Sequence, residues 1–162
     1  MLDNQGVRQS HAALDYKLNF PYTEVVETSG YEFTAVSYVG NEMKVTKFTQ
    51  ELEVLWESSV IIGSSTSVTR MIQHSSSDDY IIFGTTTHSG GLGSSDMMVI
   101  RLNTVGQGTH AIAIGQTGSV TEYGKIGIET QDNGFLFLGN TTTYGTNRVI
   151  KLDSTLNLVW GV

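Results

Sequence analysis

Three stretches of this chain can be laid on one another, and the spacing inside them leaves little freedom in what the chain can fold into. YEFTAV from Tyr31, YIIFGTTT from Tyr80 and FLFLGNTTT from Phe135 each open with an aromatic residue. Each reaches a small residue four positions later, at Ala35, Gly84 and Gly139. Each also follows a segment, TSG, SSSDD or TQDNG, whose Gly, Asn, Asp and Ser content suits a tight hairpin. A second matched segment lies downstream: MKVTKFTQELEVLW, MVIRLNTVGQGTH and RVIKLDSTLNLVW. From the small residue to the basic one the step is 12 to Lys47, 17 to Arg101 and 12 to Lys151, the extra length falling in HSGGLGSSD. From the basic residue to Trp56, His110 and Trp160 the step is nine in every copy. Self-similarity at a fixed period is the mark of a repeat architecture.

A further apolar run precedes each YIIFG-type segment: TEVVET, VTRMIQHS and YGKIGIET. Each unit therefore holds four short segments rich in Val, Ile, Thr, Tyr and Phe and bounded by turn residues, which is the pattern of β-strands. The expected strands are 23–29, 31–38, 42–48 and 52–60, then 68–74, 80–87, 96–103 and 109–115, then 120–130, 135–142, 147–153 and 156–162. No long stretch has a 3.6-residue apolar period, so helix should be scarce. IIFG and FLFLG are apolar almost without interruption, which fits strands covered on both faces.

The order of turn, aromatic-aliphatic strand ending in Gly-x-Thr, loop, aliphatic strand ending in Lys-Leu-Asp, turn and Trp resembles the repeat of secreted bacterial-type β-propellers, DGGYIIxGxT followed by KLDxxGxxxW. DNGFLFLGNTTT with RVIKLDSTLNLVW is the nearest match. The second unit has His110 where the repeat has tryptophan, and the first has Ala35 for the glycine and KFTQEL for KLDxxG. The resemblance spans residues 23–162 and implies an all-β fold of β-propeller blades: three four-stranded antiparallel units forming an incomplete ring. The blades are expected at 23–63, 64–117 and 118–162, with 1–22 as an N-terminal arm or closing strand. The resemblance also implies an extracellular or cell-surface setting.

Propellers close with four to eight blades, so three units leave two sides open. The expected partner is a second copy completing a six-bladed ring, or else a different chain or a filament; a chain that is one part of a longer reading frame is the plain alternative. LDYKLNF, with its alternating pattern, is the segment expected to act if the ring closes by strand exchange.

Composition narrows the function classes. The net charge is -7 with no basic run, which argues against a nucleic-acid partner. The absence of cysteine removes disulfides, thiolate metal sites and cysteine nucleophiles. The first 20 residues lack the charged and apolar regions of a signal peptide, so any export signal was removed or lies outside this sequence. No apolar run approaches the roughly 20 residues of a membrane-spanning helix.

Candidate sites are few. HSGGLGSSD is the longest expected loop, and its His88 and Asp96 are the candidate contact residues. Asn140 opens the sequon Asn140-Thr141-Thr142, a candidate glycosylation site. His11, His74, His88 and His110 have no ligand spacing, and solvent exposure is their plain reading. Gly84 and Gly139 read as close-packing positions, and Trp56 and Trp160 as blade-to-blade packing before sugar stacking. With no catalytic pattern, metal site or cofactor indicated, the expectation is a non-catalytic interaction or structural protein offering a surface to a protein or glycan. The competing class is an enzyme or small-molecule binder whose site forms in the central channel on ring closure.

Overall fold

The structure is a computed structural model describing residues 22–39, 41–63, 65–87, 93–142 and 145–162, which form twelve strands and no helix. Blade 1 comprises β1 (Tyr22–Thr28), β2 (Glu32–Val39), β3 (Glu42–Phe48) and β4 (Val54–Ile61). Blade 2 comprises β5 (Ser65–Gln73), β6 (Tyr80–Thr87), β7 (Asp96–Leu102) and β8 (Gly108–Ile114). Blade 3 comprises β9 (Glu122–Glu129), β10 (Phe135–Thr141), β11 (Asn147–Leu152) and β12 (Leu158–Gly161). Each blade is an antiparallel meander with its strands in chain order. The fold is all-β, built of three blade units in an open arrangement.

The constant step of nine has a local cause. Lys47 pairs directly across the sheet with Trp56, Arg101 with His110 and Lys151 with Trp160, each pair beside a bulge. Between them the same turn is made three times. The N–H of Leu52, Gly106 or Leu156 donates to the carbonyl three residues back. The side chain of Thr49, Asn103 or Asp153 accepts two further N–H groups. Such short polar side chains satisfy backbone donors that a strand would otherwise pair. The fourth turn residue adopts a left-handed conformation, with φ of 67° at Leu52, 77° at Gly106 and 68° at Leu156. Leucine takes this conformation in the other two turns, but glycine is required at 106, because a Cβ there would stand 2.5 Å from the Trp56 ring.

The ladders correct one alignment. Tyr31, matched to Tyr80 and Phe135 in the sequence, lies in the first hairpin turn with φ of 62°. Cross-strand pairing equates Phe33 with Tyr80 and Phe135, since these face Phe48, Leu102 and Leu152. Ser37, rather than Ala35, therefore occupies the place of Gly84 and Gly139. Matching Tyr31 to Tyr80 and Phe135 displaces the first unit by two residues, which preserves side-chain alternation and so leaves no trace in the apolar pattern.

This register divides each blade into a leading face, toward the preceding blade, and a trailing face, toward the following one. Val36, Val45 and Met43 on the trailing face of blade 1 meet Tyr80, Ile82 and Ile100 on the leading face of blade 2. Phe83, Val99 and Met97 on the trailing face of blade 2 meet Phe135, Phe137 and Ile150 of blade 3. All twelve of these side chains are within 1% of complete burial. At the second junction the backbones come very close: a Cβ on Gly124 would run into the carbonyl oxygen of Gly84 and the Phe137 ring. Phe83 and Phe137 meet with their rings tilted and the centroids 5.1 Å apart.

Candidate functional site

The trailing face of blade 3 carries the same class of residue as the two trailing faces buried inside the protein. Leu138 stands where Val36 and Phe83 stand, Val149 where Val45 and Val99 stand, and Ile128 where Val26 and Ile72 stand. Val36 and Phe83 are 0% exposed, whereas Leu138 is 38% exposed, Ile128 49%, Ile126 47% and Trp160 47%. A contiguous apolar sheet face open to solvent marks an interaction site in a soluble chain. It is the candidate functional surface.

Polar contacts across the two internal junctions repeat as well. The backbone N–H of Ser29 in blade 1 donates to Gln73 Oε1 in blade 2 at 3.2 Å. The N–H of Ser75 in blade 2 donates to Glu129 Oε2 in blade 3 at 3.0 Å. Gln73 and Glu129 hold the same register position, opposite Tyr80 and Phe135. Arg101 adds a bond from Nη1 to the Ser154 carbonyl of blade 3, 2.8 Å long. His74, expected to be exposed, is instead 2% exposed and belongs to the second junction. Its Nε2 lies 3.1 Å from the Asn133 carbonyl and its Nδ1 2.9 Å from Ser77 Oγ. A carbonyl only accepts, so that bond needs the proton on Nε2, while the Ser77 hydroxyl can either donate to Nδ1 or accept from it. Phe135 covers the ring at a centroid distance of 5.3 Å.

The three basic residues of the repeat each close their own blade with an ion pair: Lys47 with Glu32 at 2.6 Å, Arg101 with Asp79 at 2.6 Å and Lys151 with Asp132 at 3.0 Å. Burial opposes the charge on Lys47, but Glu32 and the Tyr80 hydroxyl outweigh it and hold the pKa above the ordinary lysine value. Hydrogen bonds from Thr130, Lys151 and the Gly134 N–H hold the Asp132 carboxyl down at about 2. Bonds from the Asn157 backbone and side chain and from Thr155 do the same for Asp153, also at about 2.

Of the candidate contact residues, His88 lies outside the described residues. Asp96 is 0% exposed at the start of β7, so it is an interior group rather than part of a contact surface. Its neighbour is Glu122, a buried carboxylate that sequence reasoning passed over; a Cβ on Gly115 would run into Asp96 Oδ1 and stand 3.2 Å from Glu122 Oε2. Glu122 Oε1 accepts from Arg148 Nη1 at 3.1 Å and from the Gln116 N–H at 3.1 Å. Its only signal in the sequence is an acid at the head of an otherwise strand-like run. Asn140 is half-buried in β10, with its Oδ1 enclosed and without a hydrogen-bond partner. His110 lines an apolar cleft of about 540 Å³ between β4 and β8, together with Val60, Ile61, Met98 and Ile112.

Gly84 and Gly139 pack against neighbouring backbone and side chains, namely Ser67, Tyr123 and Met97. Trp56 packs edge-on against Tyr80 of the next blade, with centroids 6.0 Å apart. Trp160, its equivalent, has no described blade to pack on. Among the described residues no group of three or more metal-ligating side chains occurs.

No family model matches the chain, and no curated protein matches it. Among solved structures it is similar to one described as the crystal structure of the eukaryotic initiation factor, with a TM-score of 0.58 and 13% identity. The match covers 97% of this chain and 35% of that one, so this chain spans about a third of that structure's length. At that identity the likeness shows the fold alone.

Proposed function

We propose that this chain is a non-catalytic β-propeller module, a subunit of a larger assembly that presents a blade face to another protein surface. The observation carrying this reading is the trailing face of blade 3, where Leu138 lies exposed at a position wholly buried in the other two blades and Ile126, Ile128 and Trp160 extend the exposed apolar surface around it. Its chemistry favours protein over glycan. A sugar site needs converging hydrogen-bond groups around an aromatic platform, whereas this face is aliphatic around Trp160. Kinship with the secreted bacterial repeat belongs to the same proposal, supported by the thrice-made turn that the KLDxxG pattern describes.

The face can be covered by a second copy or by a different chain. Sedimentation of the purified chain combined with binding of an apolar fluorescent dye tests the module reading. The expected result is either an assembly heavier than the 17.6 kDa chain or a monomer that binds the dye. A monomer that binds no dye overturns the reading.

A further inference from the structure

We infer that the cleft between β4 and β8 is a binding site for a compact, uncharged, apolar molecule carrying one hydrogen-bonding group, which Thr86 receives. The cleft lies at the junction of blades 1 and 2, so this inference goes beyond the module reading and does not depend on the blade 3 face.

The two junctions differ at their outer strands. At the second, Ile112 and Ile114 of β8 pack onto the core between blades 2 and 3. Blade 1 has Ser58 and Val60 at those positions, opposite Val45 and Met43 as Ile112 and Ile114 are opposite Val99 and Met97. Across from them β8 presents only Ala111 and Ala113, beside Ile100 and Met98. Small side chains on both walls leave a cleft of about 540 Å³. Small-molecule sites span roughly 300–1,000 Å³ and are mostly apolar, with a few polar groups that fix orientation.

Val60, Ile62, Met98 and Ile100 make these walls apolar, and no Asp, Glu, Lys or Arg is among the described residues lining them. Thr86 supplies the polar group. It lines the cleft from β6 at 3% exposure, and its Oγ1 is enclosed without a hydrogen-bond partner. Gly63, also in the lining, lies against that oxygen: a Cβ there would stand 2.7 Å from it, so no side chain caps the hydroxyl. A buried hydroxyl left unpaired is destabilising, and a bound group that pairs with it removes the penalty. Because a hydroxyl both donates and accepts, an alcohol, phenol or carbonyl suits it. A charged group would find nothing on these walls to offset its desolvation.

The probes are 1-naphthol and naphthalene, which differ only in the hydroxyl. Each is titrated into the purified chain and followed through the NMR signal of the Met98 methyl, which reports on the cleft. 1-Naphthol is expected to bind about two- to tenfold more tightly, the worth of one hydrogen bond. Thr86→Val, which keeps the side-chain shape, should erase that difference and raise the thermal midpoint of the ligand-free protein. Ala113→Leu, an enlargement at an exposed cleft position, should abolish binding of both probes. Equal affinity for the two probes in the wild type would overturn the inference. So would 1-naphthol that leaves the Met98 signal unmoved, or that binds undiminished to Ala113→Leu.

Discussion

The two ends of the blade stack are made from the same repeat and differ in chemistry. The trailing face of blade 3 keeps the aliphatic residues of an internal junction: Ile128, Leu138 and Val149 repeat the character of Ile72, Phe83 and Val99. The leading face of blade 1 does not. Where blades 2 and 3 place Ile82 and Phe137 it has Ala35, and where they place Ile100 and Ile150 it has Thr46. Ala35, Ser37 and Thr46 are each 1–2% exposed. Beside them a Lys44–Glu57 ion pair, 2.9 Å long, spans β3 and β4. The centre of this face is therefore covered, whereas Leu138 at the equivalent centre of the blade 3 face stands open at 38% exposure. The difference teaches that the stack is polarised, with most of the unsatisfied apolar surface at one end.

The largest effect expected from breaking this comparison comes from truncating equivalent residues on a covered and an open face. Phe83→Ala should cost about 3–5 kcal/mol, because it leaves a cavity between blades 2 and 3. Leu138→Ala, at the same position of blade 3, should cost under about 1 kcal/mol in dilute chain. Urea unfolding of both variants at low protein concentration checks this, and equal losses would mean that the blade 3 face is covered within one chain.

Next comes the close approach at the second junction. Gly124→Ala should destabilise by about 1–3 kcal/mol, since the new methyl meets the fixed carbonyl of Gly84. Gly118→Ala, where nothing lies within 4 Å, should cost only its positive-φ strain. The difference in thermal midpoint between the two variants measures how tightly blades 2 and 3 are fused.

A smaller effect of opposite sign separates the turns. Leu52→Gly should stabilise by up to about 1 kcal/mol, because glycine adopts φ of 67° without strain. Leu156→Gly should destabilise, because Leu156 is 1% exposed in the blade 2–3 core and its burial outweighs the backbone relief. Calorimetry that ranks the two variants in the reverse order would break this account of the turns.

The smallest effect is electrostatic. Asp132 and Asp153 have pKa values of about 2 in the folded protein, below the ordinary value near 3.9 of an unfolded aspartate. A depressed folded pKa contributes stability that is present above about pH 4 and is lost as pH falls toward about 2. Asp153→Asn should keep the turn, which Asn103 already makes in blade 2, and flatten the acid dependence. Thermal midpoints recorded between pH 5 and pH 2 should fall less steeply in the variant than in the wild type.

Much of the fold was legible because its local causes are local in sequence. Turn residues at Asn103 and Asp153, a direct cross-strand pair at each basic residue and period-two apolar runs all act within about ten positions. The two-residue slip at Tyr31 escaped notice for the same reason: side chains two apart share a face, so pattern alone cannot tell Ala35 from Ser37 as the glycine equivalent. The candidate site was less legible. Asp96 looked like a loop residue, and its burial depends on Gly115 and Glu122, which reach it only through the fold. His74 looked exposed, and its burial depends on Asn133 and Phe135 from the next blade.

The amino-acid order by itself determined the four-stranded unit, its number of copies and the turn chemistry that joins the strands, since these arise from neighbours along the chain. Only the tertiary structure decided which face of each blade is covered and which polar groups bridge one blade to the next. Burial is a property of what stands opposite, and the sequence of blade 3 specifies an interface just as the sequences of blades 1 and 2 do, without specifying what completes it.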